Sequence, residues 1–359
     1  MPMTNSENYI FTPGPVRIPP YILEIGARQT PYFRNESFSA ILVECEKLLL
    51  DLAVAPVGSR VVFLAASGTG AMEAAVINLL SPSDKAIVIN GGGFGQRFVD
   101  ICNCHSVPIH NHKVDGENLA DTAPLKAYID ATALLVNAHE TTKGALYDMD
   151  AIGSYCRENK LLNIVDAISM FVTDRINMTD QHIDALIISS HKGLALPPGV
   201  SMVILSPRAA SRIGQAKSLY FNFRNYLEDG IRGQTPFTPA VTILLQLHAR
   251  LKQIELDTLQ HEIDKANRIA NYFRKHIRSW PLGLYSRFMP NAMTALTPTN
   301  GESALNIVKH LAERCNIIVA PNGGALKDTV FRVSHMGDMT TEYVDVLIDA
   351  LDHYYGVKR

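Results

Sequence analysis

Three short stretches carry residue types that could do chemistry, and each stands at the end of an apolar run. Ser67-Gly68-Thr69-Gly70-Ala71 follows a predicted strand and opens a predicted helix. Backbone N–H groups point outward at such a place and the helix dipole is positive there, so it suits a phosphate. A purely structural turn would use the same residues; the stretch is neither a Walker A loop nor a full G-x-G-x-x-G pattern. Asn163-Ile164-Val165-Asp166-Ala167 puts an acid at the carboxyl end of a strand, where ligands of open α/β sheets sit, although an Asp there could equally cap the next helix. Ser189-Ser190-His191-Lys192-Gly193 is another strand end, followed by the apolar, Pro-rich turn Leu194-Ala195-Leu196-Pro197-Pro198-Gly199. Desolvation there would lower the pKa of Lys192 and make it a nucleophile, whereas most lysines are solvated surface charges.

The three stretches gain meaning together. An anion cradle, an acid and a lysine 26 positions beyond it (166 to 192) are what pyridoxal 5′-phosphate (PLP) requires: a phosphate site, a carboxylate for the pyridine nitrogen and an amine for the aldehyde. Lys192 and Asp166 are therefore the expected catalytic pair. Lys192 would form the Schiff base and Asp166 would lie beneath the ring.

The elements that must position them alternate in type. Apolar runs at 61–66, 86–89, 133–136, 161–165, 185–188 and 202–205 read as buried strands. Helical periodicity fills 70–80, 94–104 and 148–159. Strand and helix in alternation predict an α/β fold with a mostly parallel sheet sandwiched by helices. The last two runs are too close for an intervening helix and are expected to pair antiparallel. From about residue 239 one long amphipathic connector helix is expected, and beyond 280 a small α+β unit. Its strands are expected near 291–296, 316–320 and 329–334, with helices near 302–314 and 341–355. A large domain over 16–255 and a small C-terminal domain over 256–359 follow, with residues 1–15 near the active site.

Bulk properties narrow the function. A net charge of −2 with scattered Lys and Arg gives no reason to expect nucleic acid or a membrane surface as partner. No apolar run has the length of a spanning helix and the N-terminus lacks a leader pattern, so a cytoplasmic protein is expected. Five cysteines without a C-x-x-C pair make no disulfide framework and fit a reducing compartment. Cys102 and Cys104 near His105 and His110 lack zinc spacing, so no metal is expected.

On these motifs the chain resembles the class V aminotransferases of fold type I, especially the alanine:glyoxylate, serine:pyruvate and 2-aminoethylphosphonate:pyruvate group. The likeness runs through Thr12-Pro13-Gly14-Pro15, Ser67–Gly70, Asn90–Arg97, His139–Gly144, the Asp166 and Lys192 segments, Thr235–Pro239 and Phe331-Arg332-Val333, nearly the whole chain in order. The resemblance implies that Thr69, Gly70 and Ala71 hold the cofactor phosphate, joined by Thr238 of a neighbouring subunit, which requires a homodimer sharing its active sites. Phe94 would stack on the pyridine ring, Thr141 would lie near the phenolic oxygen, and His191 would donate to the phosphate. Thr235 would belong to the cofactor site, Gly14 to the substrate site, and Arg332 would grip a carboxylate or phosphonate.

The chain departs from its relatives at Lys143, where they carry a small hydroxyl, at Thr235, where the glyoxylate enzymes have Tyr, and at His191, where an amide is common. The implied activity is ping-pong transfer of an amino group from alanine, serine or 2-aminoethylphosphonate to glyoxylate or pyruvate. Two alternatives use the same fold. A cysteine desulfurase would need a reactive loop cysteine, yet Cys315 is expected to enter a strand of the core. A non-catalytic PLP-binding regulator would have no need of Lys192, Asp166 and Arg332 together.

Overall fold

The computed structural model describes residues 8–114 and 121–358. All six apolar runs form strands of one seven-stranded sheet, in the order Arg60–Leu64, Ser201–Leu205, Ala185–Ser189, Leu162–Asp166, Ala133–Asn137, Ala86–Asn90, Ile109–Lys113. Only Ser201–Leu205 runs against its neighbours, pairing antiparallel with Ala185–Ser189 as the short spacing predicted. The remaining pairs are parallel. The seventh strand, Ile-His-Asn-His-Lys, lies at the sheet edge with polar, half-exposed positions, which hid it from a search for apolar runs.

Five of the six runs form strands buried along their whole length, because helices cover both faces of the sheet. One face packs residues such as Leu134, Val165, Leu186 and Met202 under the helices Glu36–Leu52 and Val241–Asp257. The other packs Val88, Leu135, Ile164 and Val203 under Gly68–Leu79 and Gly93–Cys104. Small residues Ala71, Ala74 and Ala75, all fully buried, let the first of these helices approach the sheet closely.

The expected single connector helix is two. Val241–Asp257 and Leu259–His276 are separated at Thr258, whose backbone is left-handed at φ 75°. Such a φ is uncommon for a β-branched residue. The Thr258 hydroxyl accepts from the His261 N–H and caps the second helix. Across the break, Arg250 grips Glu262 with both Nη atoms at 2.9 and 2.7 Å. Arg250 Nε also donates to Leu194 O at 3.2 Å, tying the helix to the loop that carries Lys192.

A second sheet has five strands in the order Tyr9–Phe11, Ile317–Pro321, Phe331–Ser334, Met293–Pro298, Leu282–Leu284. The helices Ala304–Cys315 and Thr341–Tyr355 pack on it around Phe273, Trp280, Phe331 and Leu347. Its three central strands and both helices match the sequence expectation. Tyr9–Phe11 adds to the edge of this sheet, pairing parallel with Ile317–Pro321, and the chain then returns toward the large sheet. Val16, Ala195, Ala292, Met293 and Met336 make a small apolar cluster where the two meet. Among the described residues no helix is long and apolar enough to cross a membrane.

Candidate active site

The parallel strands end at one edge of the large sheet, and the chemistry-bearing residues sit just beyond those ends. They enclose a cavity of about 230 Å³ lined by Gly14, Thr69, Phe94, Thr141, Asp166, His191 and Lys192 among the anticipated residues. Gly70 and Ala71, in the first turn of the helix Gly68–Leu79, do not line it. Thr235 is buried and donates to Phe237 O at 2.7 Å, outside the cavity wall, and Thr238 is exposed on this chain.

Arg332, on the strand Phe331–Ser334, does not line the cavity either, but its Nη1 lies 3.4 Å from the carbonyl of Thr141, which does. Its Nη2 donates to Pro321 O at 2.7 Å, and its Nε is buried with no hydrogen-bond partner among the described residues. Beyond the anticipated set the cavity wall includes Ser67, Met72, Arg97, His139, Ile168 and Ser169.

Asp166 ends the strand Leu162–Asp166 and is buried. Its Oδ1 accepts from the Ile168 N–H at 2.9 Å and its Oδ2 from Asn137 Nδ2 at 2.6 Å. Burial pushes its carboxyl above the usual carboxylate range, while those two donors and Lys192 pull the other way. Asn137 was missed in the sequence. Its signal was its place, the last residue of the neighbouring strand, directly across from Asp166.

Lys192 is also buried, and desolvation lowers its ammonium to about 8, partly opposed by Asp166 and assisted by the charges of Arg332 and Arg97. The loop around it is pinned on several sides. Ala195 N–H donates to Lys192 O at 2.8 Å and Leu196 N–H to Ser190 O at 3.0 Å. Gly193 is obligatory, since a Cβ there would lie 2.2 Å from Phe171 O. His191 shares a contact of 3.1 Å between Nδ1 and Ser189 Oγ, and burial with Lys192 alongside lowers its ring to about 4, so it is a neutral imidazole.

The helix bearing Phe94 is held by the strand-and-turn His139–Thr142. Glu140 Oε2 accepts from the Gly95 N–H at 3.2 Å, and Thr142 Oγ1 accepts from the Gly93 N–H at 3.3 Å. Thus Glu140 and Thr142 cap a helix that has no cap of its own, because its N-cap is Gly92.

A family pattern described as aminotransferase class-V matches residues 27–347. The chain belongs to this family. Class V aminotransferases use pyridoxal phosphate, and that is the cofactor of this enzyme. The chain is 27% identical over 354 residues to a Synechococcus sp. protein named soluble hydrogenase, small subunit, covering 96% of this chain and 91% of that one. To the L-aspartate–glyoxylate aminotransferase of Paracoccus denitrificans it is 26% identical over 351 residues, covering 93% and 88%. The solved structure of an aspartate aminotransferase of subgroup IV from Thermus thermophilus is similar with a TM-score of 0.88 at 26% identity, covering 96% and 99% of the two chains. The mostly parallel sheet with its small second sheet is accordingly the type I fold of the PLP-dependent transferases.

The cavity of this class V enzyme fits the cofactor on its own evidence. Thr141 Oγ1 is buried without a hydrogen-bond partner among the described residues, as a hydroxyl reserved for a bound polar atom would be. The helix Gly68–Leu79 opens into the same space with its first N–H groups unbonded within the helix. A lysine and a carboxyl, both buried, complete the set.

Cys315 is the last residue of the helix Ala304–Cys315, half-buried against the small core, rather than the start of a strand. It does not line the cavity. Cys102 is buried, while His105 and His110 pair with Glu73 at 2.7 Å and Asp130 at 2.6 Å.

Proposed function

We propose that this enzyme transfers an amino group from a small donor (alanine, serine or 2-aminoethylphosphonate) to glyoxylate or pyruvate in a ping-pong cycle. The observation that carries the reading is that Lys192 and Asp166 face one another's charge in a single cavity of about 230 Å³. That is small beside ligand pockets of roughly 300–1,000 Å³, which supports a small substrate.

Pyridoxal phosphate, when bound, supplies an aldehyde that condenses with amines and a ring that accepts electrons from the donor's Cα. The chain's own residues do the rest. Lys192 Nζ, its proton affinity depressed by burial, is neutral in part near neutral pH and can take the proton from the donor's Cα. Asp166, held by Asn137 and Ile168, would keep a proton on the ring nitrogen. Thr69, with the helix turn at Gly70 and Ala71, would hold the phosphate, joined by His191; Phe94 would pack against the ring, and Thr141 would hold its phenolic oxygen. Thr235 supports the site, and Gly14, which leaves room for the Lys192 stem, belongs to the substrate site. Arg332 reads the acid group.

Two further elements belong to the proposal. Thr238, exposed here, reaches the phosphate of a second copy in a homodimer, and the chain divides into domains at about 255–256. A cytoplasmic setting fits the odd, unmotifed cysteines of the sequence.

The test is a half-reaction screen. Purified holoenzyme is mixed with a panel of small amines while the visible absorbance of the lysine-bound cofactor is followed. Loss of the band with alanine, serine or 2-aminoethylphosphonate, and its return with glyoxylate or pyruvate, is the expected result. A Lys192→Ala variant that keeps the wild-type spectrum would overturn the reading.

A further inference from the structure

Arg97 is not used by the mechanism above, yet it lines the cavity. Among the described residues Arg97 and Lys192 are the only Lys or Arg side chains in that wall. Lys192 is committed to the cofactor aldehyde and His191 is neutral, so Arg97 is the remaining fixed positive charge. It has no carboxylate within ion-pair distance among the described residues, and its one hydrogen bond runs from Nη1 to Thr69 Oγ1 at 3.0 Å. The guanidinium is fixed in place by the Phe94 ring, whose centroid lies 4.7 Å from Cζ. Phe94 and Arg97 are three residues apart on one helix, which puts them on one face.

A threonine hydroxyl has a single proton and two lone pairs. With a lone pair of Thr69 engaged by a cation, its proton is left for an acceptor in the cavity, and the charged donor strengthens that second bond. Resting on the PLP reading above, we propose that Arg97 is a positioning residue for the cofactor phosphate, turning the Thr69 hydroxyl into an outward-facing donor and adding a full positive charge to the partial one of the helix terminus.

The experiment compares pyridoxal phosphate with pyridoxal, which has the same ring and aldehyde but no phosphate. Both are titrated into apoenzyme and binding is followed by the visible band. Arg97→Met should bind pyridoxal phosphate roughly tenfold or more weakly, the size of one charge-assisted hydrogen bond, with pyridoxal affinity unchanged. Arg97→Lys should recover part of the loss. In a Thr69→Val background the Arg97→Met change should cost much less, because the two residues act as one unit.

Equal losses for both ligands, with a lowered thermal midpoint, would show that Arg97 merely holds the fold and would overturn the proposal. Full affinity in Arg97→Met, or strict additivity with Thr69→Val, would overturn it too. Wild-type protein that binds neither ligand would instead sink the PLP reading on which this one rests.

Discussion

Asn137 and Asp166 are partners across the parallel pair of strands Ala133–Asn137 and Leu162–Asp166, and Asn137 Nδ2 donates to Asp166 Oδ2 at 2.6 Å. The bond favours the ionised carboxylate against the burial that opposes it. Asn137→Ala removes that donor, so the carboxyl becomes harder to ionise. A hydrogen bond to a charged group contributes about 1.5–3 kcal/mol, and a loss of that order lowers kcat roughly tenfold to a hundredfold. The acid limb of the kcat–pH profile should move to higher pH. A profile superimposable on wild type would show that Asp166 does not depend on this amide.

The lowered proton affinity of Lys192 has a consequence for the apoenzyme. Its ordinary value is 10.5 and its folded value about 8, so between those limits the unfolded chain holds more protons than the folded one. Folding stability therefore rises with pH across that window, and below about pH 8 the buried ammonium exerts its full destabilising effect. Lys192→Met, which keeps the volume and removes the charge, should stabilise the apoenzyme at pH 7 by roughly 3 kcal/mol at most. The gain should shrink as pH climbs from 8 to 10.5. Denaturant melts at several pH values measure it, and a pH-independent difference would contradict the burial of the charge.

Much of this arrangement was legible because it follows backbone physics. Fully buried strands such as Ala133–Asn137 and Ala185–Ser189 must be continuous apolar runs, and the residues just after them must face the ligand edge. Thr69, Asp166 and Lys192 were found that way. Arg97 and Asn137 were not read as functional, since an arginine on a helix and an amide ending a strand acquire meaning only from partners 28 and 29 positions away. The break at Thr258 was hidden for a related reason: the amphipathic pattern continues through it, and the turn is secured by the Arg250–Glu262 pair. Thr235 and Thr238 stand outside the cavity of a single chain, so sequence resemblance alone speaks for them.

Gly14 tests how closely the N-terminal segment approaches the reactive amine. It has φ 139°, and a Cβ there would stand 2.7 Å from Lys192 Cε and 2.8 Å from Cδ. Gly14→Ala brings a backbone conformation that side-chain-bearing residues rarely adopt, at a cost of order 1–3 kcal/mol, and pushes the lysine stem aside. The expected outcome is a shifted or weakened visible band together with slower reaction with amines. An unchanged band and rate would mean that the segment yields and Lys192 stays.

The surroundings of Arg332 fit it to hold an anion. Two of its nitrogens are turned toward the carbonyls of Thr141 and Pro321, which fixes the plane of the guanidinium. Nε remains buried without a hydrogen-bond partner among the described residues, and burial lowers the group's proton affinity against the pull of Glu140. An arginine so placed stays charged at working pH and has no carboxylate in hydrogen-bond contact among the described residues, so an incoming carboxylate or phosphonate completes it. Arg332→Ala should raise KM for the 2-oxo acid roughly tenfold to a hundredfold, corresponding to about 1.5–3 kcal/mol of charge-assisted hydrogen bonding. The cofactor band should be unaltered. Arg332→Lys keeps the charge but loses the fork, and should recover only part of the affinity. Steady-state kinetics against glyoxylate and pyruvate decide the matter: a KM equal to wild type in the alanine variant would assign the anion to another group.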